Sequence, residues 1–215
     1  LLFLAYLALP SPWWAAFWAL SLFNHEIGVF LGPWLLFLAV GRPLPWRRVL
    51  LHGALFVAAL ALMGLYHRFL IARGLMRLSE GYYFSWSNVR ETFQAVKRYA
   101  AFGIFQGFKL FWFFPIAAGV SFAASRRWRE LAGLALILIG MFAQLLIAVE
   151  TYRLTGFAFL AVLLGALEFR RMVGPERFRV WLWSLIVLNF LVPSYYVAEA
   201  RLFPLPSLIS ALFIQ

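Results

Sequence analysis

Long apolar runs, cut into helix-sized lengths by short clusters of arginine and glutamate, constrain this chain more than any single motif. A membrane span takes about 20 consecutive, mostly apolar residues, and runs of that length recur along the 215 residues with little left over. The balance of residues is 65% hydrophobic and 13% charged, against roughly 45–50% apolar and about 25% charged in a soluble domain. A water-soluble fold is excluded. The expectation is an all-α, polytopic transmembrane helix bundle with about six to seven spans, forming one membrane domain over residues 1–215 as a piece of a longer chain.

The spans are read as follows. Leu1 to Leu9 ends a helix that Pro10-Ser11-Pro12 breaks. Trp13 to Phe23 is about half a span and meets Asn24-His25-Glu26 before the apolar run Ile27 to Val40, which reads as a broken or paired short helix. Further spans are expected near 49–71, 101–124, 131–149, 154–169 and 180–197, followed by an apolar tail from Leu202 that holds Pro204 and Pro206. There is no internal repeat.

The net charge of +11 sits in short loops rather than in a nucleic-acid-binding patch, so the partner implied is membrane lipid and not nucleic acid. Gly41 to Arg48, Ser125 to Glu130 and Arg170 to Arg179 are the arginine-rich loops, and they fall at every second connection. Cytoplasmic loops carry excess Lys and Arg, which places these three in the cytoplasm and the other connections outside. The expected location is a plasma (inner) membrane, multi-pass. Asn24-His25-Glu26, the connection from Ala72 to Ala100, Glu150-Thr151-Tyr152-Arg153 and Glu199-Ala200-Arg201 then all face outward. Within the long connection, Tyr82, Tyr83 and Trp86 suit an interfacial aromatic belt. Asn88 and Glu91 have capping-box spacing, and Val89, Phe93, Val96 and Ala100 recur at helical spacing opposite Arg90, Gln94, Lys97 and Arg98. An external amphipathic helix on the membrane surface is expected, as an anchor or as a basic lid over a phosphate.

Ionisable groups in the spans are weighed one by one because each costs about 2.5–3.5 kcal/mol at the bilayer centre. Glu26 is either a structural partner for an arginine or a functional carboxylate. Lys109, roughly 13 Å of helix rise inside its span, either snorkels along its stem or meets an anion in a cavity with Gln106. Arg153 anchors a helix or grips a phosphate bidentately, and Glu150 can hold it in place. Near mid-depth only Asn189 is polar. Gly103 and Gly107 permit close helix packing. His25, His52 and His67 are too scattered for a metal site; with no cysteine and no nucleotide-binding or nucleophile-elbow motif, neither a metal centre nor a cofactor is expected.

All eight acidic residues are glutamate, and the sequence has no Asp. The segment Ala19-Leu20-Ser21-Leu22-Phe23-Asn24-His25-Glu26, followed by an apolar helix containing Gly32-Pro33, resembles the early region of polytopic bacterial glycosyltransferases of the GT-C type. Glu150-Thr151-Tyr152-Arg153 entering an apolar helix is similar to the acidic-x-x-Arg entry of a late helix there. The resemblance implies transfer of a sugar from a polyprenyl-phosphate carrier at the external leaflet, with catalysis by an Asp that this chain lacks. It implies supporting roles here: Lys109, Arg153 and Arg90 neutralising the carrier phosphate, Glu26 with Asn24 and His25 orienting a hydroxyl or a basic partner, and Tyr82, Tyr83 and Trp86 packing on sugar or isoprenoid. Two other classes fit the same composition, a transporter or lipid flippase subunit and a non-catalytic structural subunit.

Overall fold

The computed structural model describes residues 1–24, 26–41, 46–75, 85–97, 99–146, 155–198 and 201–204. They fall into two compact units, Leu1–Ser85 and Trp86–Gln215. Both are built from helices, so the chain is all-α in class, and the second unit ends in a small two-stranded ribbon.

In the first unit, α1 (Leu2–Leu7) stops before the Pro10-Ser11-Pro12 break and α2 (Trp13–Asn24) packs back on it. A 3-10 segment, Glu26–Leu31, leads into α3 (Gly32–Val40), which has its proline in the first turn, where the missing N–H costs nothing. The long α4 (Trp46–Ala72) packs against α2 and α3. The junction is aromatic: Trp18 stacks on Phe56 at 4.7 Å and donates its indole N–H to the Gly28 carbonyl at 3.0 Å. A Cβ on Gly32 would fall 2.6 Å from the Trp18 ring, so only glycine lets α3 this close.

α4 is inside-out by the standards of a soluble helix. Its buried positions are His52, Ala59 and His67, while Leu50, Leu51, Val57, Leu62, Leu65 and Phe69 are exposed. Apolar outside and polar inside is the arrangement a bilayer selects. His52 is held by Trp14, whose indole N–H donates to Nδ1 at 3.0 Å. A neutral imidazole has one acceptor nitrogen, so Nε2 carries the hydrogen and the Arg48 Nε lying 3.4 Å from it is a packing contact.

The second unit opens with α5 (Trp86–Val96), then α6 (Ala100–Phe108), a 3-10 turn Lys109–Trp112, and α7 (Phe113–Ala124). After a tight turn come α8 (Trp128–Leu145), the 3-10 turn Gly156–Ala158, α9 (Phe159–Val173), α10 (Pro175–Leu191), and the antiparallel strands β1 (Tyr195–Ala198) and β2 (Arg201–Pro204). The principal seam is α7 against α9, where a Cβ on Gly165 would lie 2.6 Å from the Phe114 carbonyl oxygen, so the two backbones touch. Around it Phe113 meets Phe169 edge-on at 4.9 Å and stacks on Trp181 at 5.5 Å, tying α10 to the pair. Such small-residue contacts and aromatic packing hold helices together where solvent offers no hydrophobic drive.

Among the described residues, three segments are long and apolar enough to cross a membrane: Trp46–Ala72, Ala100–Ala124 and Trp128–Leu145. These match three of the expected spans. α9 and α10 have 15 and 17 residues, about 23 and 26 Å of rise, and α2 and α3 are shorter still. The expected span 180–197 is corrected: α10 ends at Leu191, because Pro193 cannot continue the ladder, and Tyr195–Ala198 is strand. The capping box is also corrected. The helix begins at Trp86, so Asn88 lies inside α5 rather than at its N-cap. The tail beyond Pro204 lies outside the described residues.

Candidate functional site

Connectivity sorts the second unit's charged groups. α7 and α8 are joined by the turn bearing Arg126, Arg127 and Arg129, and α9 and α10 by the turn bearing Arg170, Arg171, Arg177 and Arg179. The two turns lie at one end of the unit, because the Arg127 Nη1 reaches Glu168 Oε1 at 2.5 Å. Glu168 is buried, accepts also from Ser121 Oγ at 3.1 Å, and has Arg171 at 3.7 Å from its second oxygen. The Arg127 guanidinium lies 4.6 Å from the Phe122 ring centre, which shields the pair.

The opposite end gathers a different set. Lys109 breaks the Ala100–Ala124 segment with φ 48 and ψ −121, a conformation that L residues rarely adopt. The break swings its ammonium to the C-terminal end of α10, where it donates to Val192 O at 2.6 Å, Ser194 Oγ at 2.7 Å and Asn189 O at 3.4 Å. An ammonium has three donors, and here three acceptors receive them. The positive charge also complements the α10 dipole. Asn189 completes the joint by accepting from the Leu110 backbone N–H at 2.9 Å. Buried Gln106 donates to Pro193 O at 3.2 Å and accepts from the Tyr195 N–H at 3.4 Å. Of the two readings of Lys109, the geometry builds neither a snorkel nor an open anion cavity; it builds a cap that fastens helix to helix.

Gln144, in the last turn of α8 at this same end, is different. It is fully buried, and among the described residues neither Nε2 nor Oε1 has a hydrogen-bond partner. An orphaned buried amide costs about 1–3 kcal/mol. The start of α9 packs close by, and Gly107 admits Thr155 so tightly that a Cβ there would sit 2.7 Å from the Thr155 Cβ.

The other anticipated residues are dispersed or undescribed. Trp86 and Arg90 are exposed on α5, as is Phe93, while Thr92 is buried. α5 therefore turns part of its apolar face away from its own unit. Asn24 ends α2 and Glu26 opens the 3-10 segment, both in the first unit; of their side chains nothing is described. His25, Tyr82, Tyr83, Glu150 and Arg153 lie outside the described residues. Among the described residues no three His or carboxylate side chains converge. Sequence reasoning passed over Glu168, for which the available signal was a lone acid between an apolar run and Arg170-Arg171; Gln144 was grouped with Gln106 and Lys109 toward the outer side but was not counted among the site residues.

The chain matches no protein-family model, and no curated protein or solved structure is similar to it.

Proposed function

We propose that this chain is the membrane-embedded portion of a glycosyltransferase that uses a polyprenyl-phosphate-linked sugar at the external leaflet. The supporting observation is Gln144, a buried amide whose donor and acceptor are both unmet among the described residues. A sugar hydroxyl both donates and accepts, so it satisfies such an amide, whereas a phosphate can only accept. Gln144 sits at the end of α8 that leads to Glu150 and Arg153, so hydroxyl recognition and phosphate neutralisation fall within one short segment. Under this reading Arg153 takes the carrier phosphate with its planar fork, Arg90 on α5 approaches the same headgroup layer, and Lys109 positions the α10 end that borders the site.

The proposed topology has six or seven spans in a plasma membrane. α9 with its preceding 3-10 turn reaches about 28 Å, α10 about 26 Å, and the short apolar helices of the first unit pair to cross. The arginine turns face the cytoplasm by the positive-inside rule, and α5 lies on the outer surface with Tyr82, Tyr83 and Trp86 in the aromatic belt. With no Asp in the sequence, the general base of such an enzyme is supplied from outside these residues.

The test is binding of a polyprenyl-phosphate-linked sugar to the full chain in nanodiscs. Gln144→Leu and Arg153→Ala should each weaken binding about tenfold, the loss of one well-made polar contact in a dry site. Unchanged affinity in both removes the proposed site.

A further inference from the structure

The arginine end of the second unit holds a cavity that the proposed reaction does not use. It has a volume of about 290 Å³ and is lined by Leu167, Arg170, Arg171 and Pro175. Leu167 and Arg171 are one helical turn apart on α9 and share a face, so the cavity has an apolar wall below a basic rim. Leu167 and both arginines are exposed. Their charges are not equally occupied. Arg171 faces Glu168 at 3.7 Å, but the same carboxylate is already bound by Arg127 at 2.5 Å. Glu176 is engaged by Arg179. Arg170 makes no ion pair among the described residues. The wall opposite is the first turn of α10, a 17-residue helix whose N-cap, Gly174, supplies no side-chain hydrogen bond. The α10 residue on that wall is Pro175, which has no N–H, so what this end of the helix offers an anion is its dipole.

A basic rim, the positive end of a helix dipole and an exposed apolar floor match one chemistry. We infer that this cavity is a binding site for the phosphate headgroup of an anionic membrane lipid, with Arg170 and Arg171 gripping the phosphate and an acyl chain running down along Leu167. A soluble phosphate would use the rim and waste the floor; the lipid uses both. The site is separate from the proposed sugar-carrier site, which lies at the other end of the helices.

The test uses the full chain in nanodiscs of phosphatidylcholine doped with phosphatidylglycerol, with the lipids retained on the protein counted by native mass spectrometry. Wild type should retain phosphatidylglycerol in excess of its mole fraction. Arg170→Gln should cut that preference roughly fivefold, and the Arg170→Gln/Arg171→Gln pair roughly twenty- to thirtyfold, from about one arginine's worth of lipid attraction each. Because the Arg170 side chain makes no ion pair among the described residues, its single variant keeps the fold, which helix content by circular dichroism verifies. Arg126→Gln removes an equal charge at the same end but off the cavity, and should leave the preference intact. An equal loss with Arg126→Gln, a retained preference in the double variant, or displacement of the lipid by inorganic phosphate at comparable concentration would each overturn the assignment.

Discussion

Lys109 and Val192 are joined by a 2.6 Å hydrogen bond from ammonium to carbonyl, and with it the break in the Ala100–Ala124 segment becomes the cap of α10. The side chain can reach that carbonyl only because the backbone at Lys109 adopts φ 48. Strain of about 1–3 kcal/mol is offset by charge-assisted bonds of about 1.5–3 kcal/mol.

That balance separates two substitutions. Lys109→Gly loses the cap but relieves the backbone, while Lys109→Ala loses the cap and keeps the strain. Both should lower the thermal midpoint in detergent, with the glycine variant retaining about 1 kcal/mol more stability than the alanine variant. Equal midpoints would show that the positive φ carries no strain.

The α7–α9 seam makes a sign prediction. Gly165→Ala forces a methyl against the Phe114 backbone, which cannot yield as a side-chain tip does, and should cost about 1–3 kcal/mol. Gly64→Ala on α4 meets nothing within 4 Å and should stabilise by about 0.5–1 kcal/mol through helix propensity. Denaturant midpoints of the two variants must move in opposite directions.

Gln144→Leu is expected to raise stability by about 1–3 kcal/mol, since it removes two unsatisfied buried atoms, while lowering affinity for the lipid-linked sugar. Stability and binding measured on one preparation must diverge. A variant that loses both marks Gln144 as a structural residue.

The Arg127–Glu168 pair is asymmetric. Glu168 is buried and Arg127 about one third exposed, so Arg127→Ala strands a buried carboxylate, whereas Glu168→Gln leaves an arginine that can turn to water. The first should destabilise by about 2–4 kcal/mol, below the full cost of breaking a wholly buried pair, and the second by about half as much. Urea or heat denaturation in detergent ranks them.

The three long spans were legible because a bilayer imposes length and polarity on each segment separately, and Trp46–Ala72, Ala100–Ala124 and Trp128–Leu145 satisfy both locally. The Lys109 joint was not. Its partners Asn189, Val192 and Ser194 lie far along the chain, and nothing in the local pattern marks a carbonyl as an acceptor for a distant lysine. Asn189, read as a lone polar group at mid-depth, proves to belong with Lys109 and Gln106 because α10 stops early at Leu191. Gly103 and Gly107 were noticed for their spacing, while the Ala161–Gly165 pair, with the same small-xxx-small spacing and a Gly165 Cβ position 2.6 Å from the Phe114 carbonyl oxygen, was not. The α5 helix was anticipated from its periodicity, but its start was set three residues late, since Trp86 rather than Val89 begins the helix and Asn88 is not its cap.

The lysine cap also bears on how the chain is made. The acceptors of Lys109 are separated from it by 80 to 85 residues, so during synthesis the charged side chain leaves the ribosome well before α10 exists to receive it. Until then the segment carries an uncompensated ion, and its charge is met only when α10 arrives.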